Sequence, residues 1–299
     1  MIFRHFCLTF YYFRETEFEK SNKMKTLFIK LTLFVSLIIL AFNPTPAKEF
    51  QGKAVYISKS KMQLGSWGAR LSEAQKKQVA ARLKNRLEKT YILTFNQEES
   101  MFLEKEKIDA ISGATDSWGG YFSRGDQYKN IKDAQLIQAQ EFYGKRFLVK
   151  DDLYKIQWVM GTDTKKIGNY TAYRAMASVP KDELEWYNFS WGDLRRNNQK
   201  GENAEKEEVP MIEVEAWYTP EIPLATGPGE YWGLPGLILE VSAGNTTLLC
   251  TEIEISKDKK IEIKAPRKGE EITKANYTKT VRERMANMRN VRMGRRRGR

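Results

Sequence analysis

Histidine and cysteine are almost missing from this chain. Its 299 residues include one His and two Cys, and both His5 and Cys7 stand ahead of Met24, in a stretch set apart below. Beyond it there is no His, and Cys250 is the single thiol. Without an imidazole neither a Ser-His-Asp nor a Cys-His nucleophile can be assembled. A zinc site of Cys and His ligands is excluded with it, and so is an intramolecular disulfide. Cys250 falls in an alternating apolar run, 247–255, where a buried and inert strand thiol is expected. The expectation is therefore a protein with no catalytic set, no metal ligands and no cofactor.

A widespread basic surface is missing too. The net charge is +12, but residues 282–299 supply +7 of it through eight Arg and one Glu, and residues 1–47 supply +3. Residues 48–281 keep only +2, so no nucleic-acid footprint covers them and no nucleic-acid partner is expected. The chain also lacks a long hydrophobic run. Residues 31–42 are apolar but too short to span a bilayer comfortably. They follow Met24-Lys25-Thr26 and Lys30 and precede Asn43-Pro44-Thr45-Pro46-Ala47, which is the layout of a secretory signal peptide over 24–47, cut after Ala47, with an uncleaved N-terminal anchor as the alternative. Residues 1–23 are acidic and aromatic, unlike a signal n-region, and read as a mis-called upstream start. No Cys lies near the cut, so a lipoprotein anchor is not expected.

The remaining residues suit one domain, 48–281, followed by a basic tail, 282–299. A helix is expected over 73–89: Ser72 and Gln75 form a capping box, and Val79, Leu83 and Leu87 recur at helical spacing. Period-two patterning predicts strands at 54–58, 91–95, 144–150, 154–160, 170–178, 211–218, 237–242, 247–255 and 260–264. A turn is expected at Asp258-Lys259, and loops at 112–126 and 197–209. The fold class is α+β and mainly antiparallel β: a curved sheet or incomplete barrel wrapped around the one early helix. A two-sheet sandwich is the alternative.

The densest punctuation is the run from Trp217 to Val241, WYTPEIPLATGPGEYWGLPGLILEV. Proline fixes φ while glycine permits close backbone approach, so it reads as a shaped, rigid loop entering a strand. Its Gly233-Leu234-Pro235-Gly236-Leu237-Ile238 resembles the hexapeptide that names the GLPGLI family of exported bacterial envelope proteins. Gly144-Lys145-Arg146-Phe147-Leu148-Val149, Ile156-Gln157-Trp158, residues 165–171 with Tyr173-Arg174-Ala175, and Trp217-Tyr218-Thr219-Pro220-Glu221-Ile222-Pro223 resemble that family in order. More distantly, the order of these motifs resembles proteins with the LolA-type half-barrel, which holds acyl chains against an inner helix. The resemblance implies a protein of the periplasm or outer envelope of a double-membrane bacterium. Its partner would be a lipid-like ligand or an outer-membrane transporter.

Two readings stand for the loop. Trp217, Tyr218, Pro220, Tyr231, Trp232, Gly233, Leu234, Pro235 and Gly236 form either a rigid aromatic platform for a ligand or partner, or a plug packed into one end of the sheet. Glu213, Glu215, Glu221 and Glu230 are the candidates for a carboxylate-only hydrolase, the enzymatic alternative. Arg289, Arg292, Arg295, Arg296 and Arg297 are candidates for contact with an anionic membrane surface, against the alternative of a solvated tail. Pro235 cannot donate to a ladder, so the strand should begin at or after Gly236, with Leu237 and Leu239 in the core and Glu240 at a polar edge or paired to a basic residue.

Overall fold

The structure, a computed structural model, describes residues 30, 50–61, 69–105, 125–187, 189, 209–256 and 261–297, without the side chains of 85, 86 and 290–297. The chain divides into two units, 1–48 and 49–299. In the first only Lys30 is described, and it is helical. The expected signal peptide and upstream extension otherwise lie outside the described residues, as do the expected turn at 258–259 and nearly all of both expected loops.

The second unit is built on one open, curved sheet of twelve strands. Strand β1 is Gln51–Ser60; helices α1 and α2 are Glu73–Arg82 and Lys84–Leu87. A meander follows through β2 (Glu88–Phe95), β3 (Glu99–Glu104), β4 (Gln127–Asn130), β5 (Gln135–Phe142) and β6 (Lys145–Asp152). A second meander runs through β7 (Val159–Ile167), β8 (Tyr170–Pro180), β9 (Met211–Thr219), β10 (Leu237–Ala243) and β11 (Thr246–Ser256), with α3 (Lys181–Leu184) after β8. Strand β12 (Glu270–Ile272) and helix α4 (Lys274–Arg297) close the chain. The sheet order is β12-β6-β5-β4-β3-β2-β1-β11-β10-β9-β8-β7, antiparallel throughout except for β12 on β6. β1 joins the two meanders, pairing β2 on one side and β11 on the other, from Gln51↔Ser256 to Ser60↔Thr246.

Alternation places one apolar row on the inner face. Ala54 and Tyr56 of β1 stand beside Leu93 and Tyr91 of β2, and Phe102 of β3 continues the row. On the other arm Val214, Ala216, Val241 and Leu248 complete the same core. Phe142, Phe147 and Val149 form a second cluster with Trp186 and with Tyr277, Val281 and Met285 of α4. The spacing of those three α4 residues puts them on one stripe, and each buried side chain contributes about 1.5–3 kcal/mol. That burial holds the first half of a helix whose second half is a basic run. α4 is continuous through Arg282, where the sequence turns basic. Among the described residues no helix is long and apolar enough to cross a membrane.

Four expectations are corrected. The capping box forms, with Gln75 N–H donating to Ser72 Oγ at 3.3 Å and Ser72 N–H to Gln75 Oε1 at 2.9 Å. The helix it starts nevertheless breaks at Leu83, and β2 begins at Glu88 because Ser58 and Lys59 of β1 offer partners there. α1 has no buried residue, and Val79, Leu83 and Leu87 are only half-buried, so the sheet does not wrap around this helix. The strand placed at 154–160 begins at Val159, since residues 153–158 turn inward as a connection. In place of a strand at 260–264, the described residues 261–264 are unpaired chain, with Ile263 and Ala265 against Tyr128, Ile137 and Leu148 on the outer face. β3, β4 and β5 were not anticipated.

Cys250 is buried on β11, and burial pushes its thiol up to about 12 from 9.0. The unfolded thiol ionises near 9.0 while the folded one stays neutral, so this group stabilises the fold below that pH and its contribution is lost as pH rises toward 12. Wild type should therefore lose more stability than Cys250→Ala between about pH 8 and about pH 10.5 in chemical denaturation. Equal losses would contradict the burial.

Candidate functional site

Between β9 and β10 the chain crosses the inner face instead of making a tight turn. Ile222, Leu224, Tyr231 and Leu234 are buried in the main core, in contact with the apolar row of the sheet. The crossing segment first folds on itself. Gly233 N–H donates to Ala225 O at 3.0 Å, Leu237 N–H to Ile222 O at 2.9 Å and Ile238 N–H to Thr226 O at 3.1 Å. Buried carbonyls that remain need donors from elsewhere.

Those donors come from both arms of the sheet. Lys129 of β4 is fully buried, and its Nζ donates to Gly227 O at 2.7 Å and Tyr231 O at 3.1 Å. Gln127 Nε2 donates to Glu230 Oε1 at 3.0 Å, and Thr226 Oγ1 to Ser100 Oγ at 3.2 Å. Tyr56 OH donates to Ile238 O at 2.6 Å. From the connection before β7, Trp158 Nε1 donates to Trp232 O, and Trp232 Nε1 returns the favour to Tyr154 O, both at 2.8 Å. Gly236 lies so close to β9 that a Cβ there would stand 2.2 Å from Thr219 O, and Gly233 has φ +91°. Both positions therefore favour glycine, the first for close approach and the second for its left-handed backbone.

The nine loop candidates do not gather into one platform. Trp217 lies in β9 on the outer face, its ring 4.2 Å from Lys165 Nζ and its Nε1 donating to Glu215. Tyr218 is buried with its ring tilted against Tyr173. Tyr231, Leu234 and Gly236 are buried, Trp232 is half-buried, and Pro220, Gly233 and Pro235 are exposed. The candidate carboxylates are separately engaged: Glu213 accepts from Ser178, Glu215 from Arg174, Glu221 from the Thr171 N–H and Glu230 from Gln127. Arg289 is half-buried on α4, while Arg292, Arg295, Arg296 and Arg297 lie on that helix with side chains outside the described residues. Leu237 and Leu239 are buried as expected, together with Ile238, and Glu240 pairs with Lys165 at 2.7 Å.

A different open space was not anticipated. A groove of about 840 Å³ runs between the first turns of α4, α3 and the end of β6. Asp152, Asp182, Lys155, Lys279, Tyr154 and Trp186 are among its lining residues, so charges of both signs meet aromatic surface there. Lys274, at the start of α4, is held by Glu183 at 2.9 Å, and its N–H donates to Asp151 at 2.8 Å. A small cavity of about 10 Å³ beside Glu230 and Leu136 adjoins the groove, sharing Leu153, Tyr154, Glu183 and Lys274 with it.

Residues 158–240 match the family described as Protein of unknown function (Porph_ging). That is a bacterial family, and the match covers β7, β8, β9, the crossing segment and the start of β10. No curated protein matches the chain. Two solved structures are similar in shape, described as PNGF-II in the C2 and P21 space groups. They share 14% and 13% identity at TM-scores of 0.44 and 0.42, over 78% and 79% of this chain. The chain spans about a third of their length (32% and 33%).

The Porph_ging match does not contain all that holds its own loop. Tyr56, Ser100, Gln127 and Lys129 lie before residue 158 and reach it across the sheet. Lys129→Met removes both donors to Gly227 and Tyr231 and should cost about 2–4 kcal/mol in chemical denaturation, because two buried carbonyls lose their partner. Gly236→Val should destabilise at least as much by colliding with Thr219 O. Wild-type stability in either variant would contradict the clamp.

Proposed function

We propose that this chain is an exported, non-enzymatic binding protein of the bacterial cell envelope, of the GLPGLI kind, that takes its ligand on the rim of a filled sheet. The observation that carries the reading is the contrast between the two spaces. The inner face is occupied by the chain's own Ile222, Leu224, Tyr231 and Leu234, while the groove at α4 is of a size that accommodates a small molecule. Its mixed charges suit a polar or zwitterionic ligand better than an acyl chain. The signal-like layout of residues 24–47 and the GLPGLI resemblance support the envelope setting.

α4 adds a second contact. Arg289, Arg292, Arg295, Arg296 and Arg297 follow one another over roughly 12 Å of helix. A basic residue near an anionic lipid surface contributes about 1 kcal/mol, so five of them would support peripheral attachment beside the groove. A hydrolase working with carboxylates alone is the second reading, because Asp151, Asp152, Asp182 and Glu183 line the same groove. Turnover of a glycan or ester that Asp182→Asn abolishes would favour it over binding.

Native mass spectrometry of the protein purified from its own envelope fraction tests the binding reading. The expected result is an added small-molecule mass that wild type carries and Ala275→Trp, which fills the groove from an exposed position, does not. A uniformly empty, partnerless monomer would contradict it, and so would an added mass that Ala275→Trp retains.

A further inference from the structure

β7 ends the sheet and has one neighbouring strand, β8. Along its other side no strand of the described residues lies beside its backbone N–H and C=O groups. Such an edge is a template for another extended chain, and proteins normally blunt it with charge, bulges or a covering element. At the opposite end β12 is only three residues long, and α4 packs on β6. β7 carries blunting devices, but they leave its first residues unguarded. Its register slips between Met160 and Thr164. Asp163 and Lys165 turn onto the sheet, Asp163 to Arg174 at 2.9 Å and Lys165 to Glu240 at 2.7 Å.

The start of the strand is apolar and open. Val159 is 70% exposed and Met160 51%. Met160 Sδ accepts from Tyr218 OH at 3.7 Å, and Tyr173, tilted against Tyr218, is also exposed. The pairings Met160↔Ala175, Thr164↔Tyr173 and Lys166↔Thr171 put Met160, Thr164 and Lys166 on the face of Tyr173. At the far end of that face Lys166 is exposed, its Nζ donating to Thr171 Oγ1. Trp158, fixed by its bond to Trp232 O, holds the entry to the strand, so little ordering would be needed on binding.

We infer that β7 is a docking edge for an extended segment of a partner protein, apolar where it meets Val159 and Met160 and acidic where it meets Lys166. Main-chain bonds to the edge would supply affinity, and the apolar and basic ends would set orientation and choice of partner. The groove at α4 plays no part in this inference.

The probe is an eight-residue amidated peptide, glutamate-rich in its first half and valine-rich in its second, with a lysine-for-glutamate control. Amide hydrogen exchange over residues 159–167 is the readout. The peptide should slow exchange there about tenfold at saturation, while Met160→Lys and Lys166→Glu, both at exposed positions, should weaken binding at least about fivefold with Tm unchanged. Unchanged exchange, equal protection by the lysine peptide, or full binding by Met160→Lys would overturn the inference. So would protection that grows with protein concentration alone, since a second copy would then be the occupant.

Discussion

A backbone that crosses the buried face of its own sheet brings polar groups where water cannot reach them, and each unpaired one costs on the order of 1–3 kcal/mol. The crossing between Thr219 and Leu237 meets that constraint with donors drawn from sequence-distant parts of the chain. Lys129 covers two carbonyls, Tyr56 covers Ile238, and Trp158 covers Trp232. The glycines and prolines of this stretch follow from the same constraint. Gly236 lets the backbone pass against Thr219, and Pro235 precedes the first residue that enters the β10 ladder. Gly236 and Pro235 of the conspicuous hexapeptide thus fit the path the chain takes.

With the crossing in place, the two meanders are tied twice. β1 joins them along the ladder, and the loop bridges them across the inner face, from β4 on one arm to residues 154–158 on the other. The crossing fills the inner face along the middle of the sheet, and α4 covers it only at β5 and β6, where Tyr277, Val281 and Met285 meet Phe142, Phe147 and Val149. It also moves the accessible surface outward, to the groove at α4 and to the β7 edge.

The strongly alternating strands were legible in the sequence. β1, β8, β9, β10 and β11 carry an apolar residue at every second position over much of their length, and their expected spans agree with the structure to within a few residues. β4 was not legible because its buried side chains are Gln127 and Lys129 flanking Tyr128, which reads as a polar connection. β5 hides for a similar reason: Gln138 and Gln140 stand on the buried face where apolar residues would announce a strand. The length of α1 was misjudged because Leu83 and Leu87 keep helical spacing, while the pairing of Glu88 and Lys89 with β1 decides the outcome. The loop was visible as rigid, but its status as filling depended on partners about 100 residues or more before it, which no local pattern reveals.

The central claim is that residues 219–237 are a fixed part of the core and not a lid over a ligand cavity. Amide hydrogen exchange at Gly233, Leu237 and Ile238, whose N–H groups are bonded within the crossing, tests it most directly. Exchange as slow as that of the Tyr56 and Leu93 amides at the centre of the sheet, requiring global unfolding, is the predicted result. Exchange that proceeds through a local opening while those amides stay protected would contradict it, and would mean that the inner face can be vacated for a ligand.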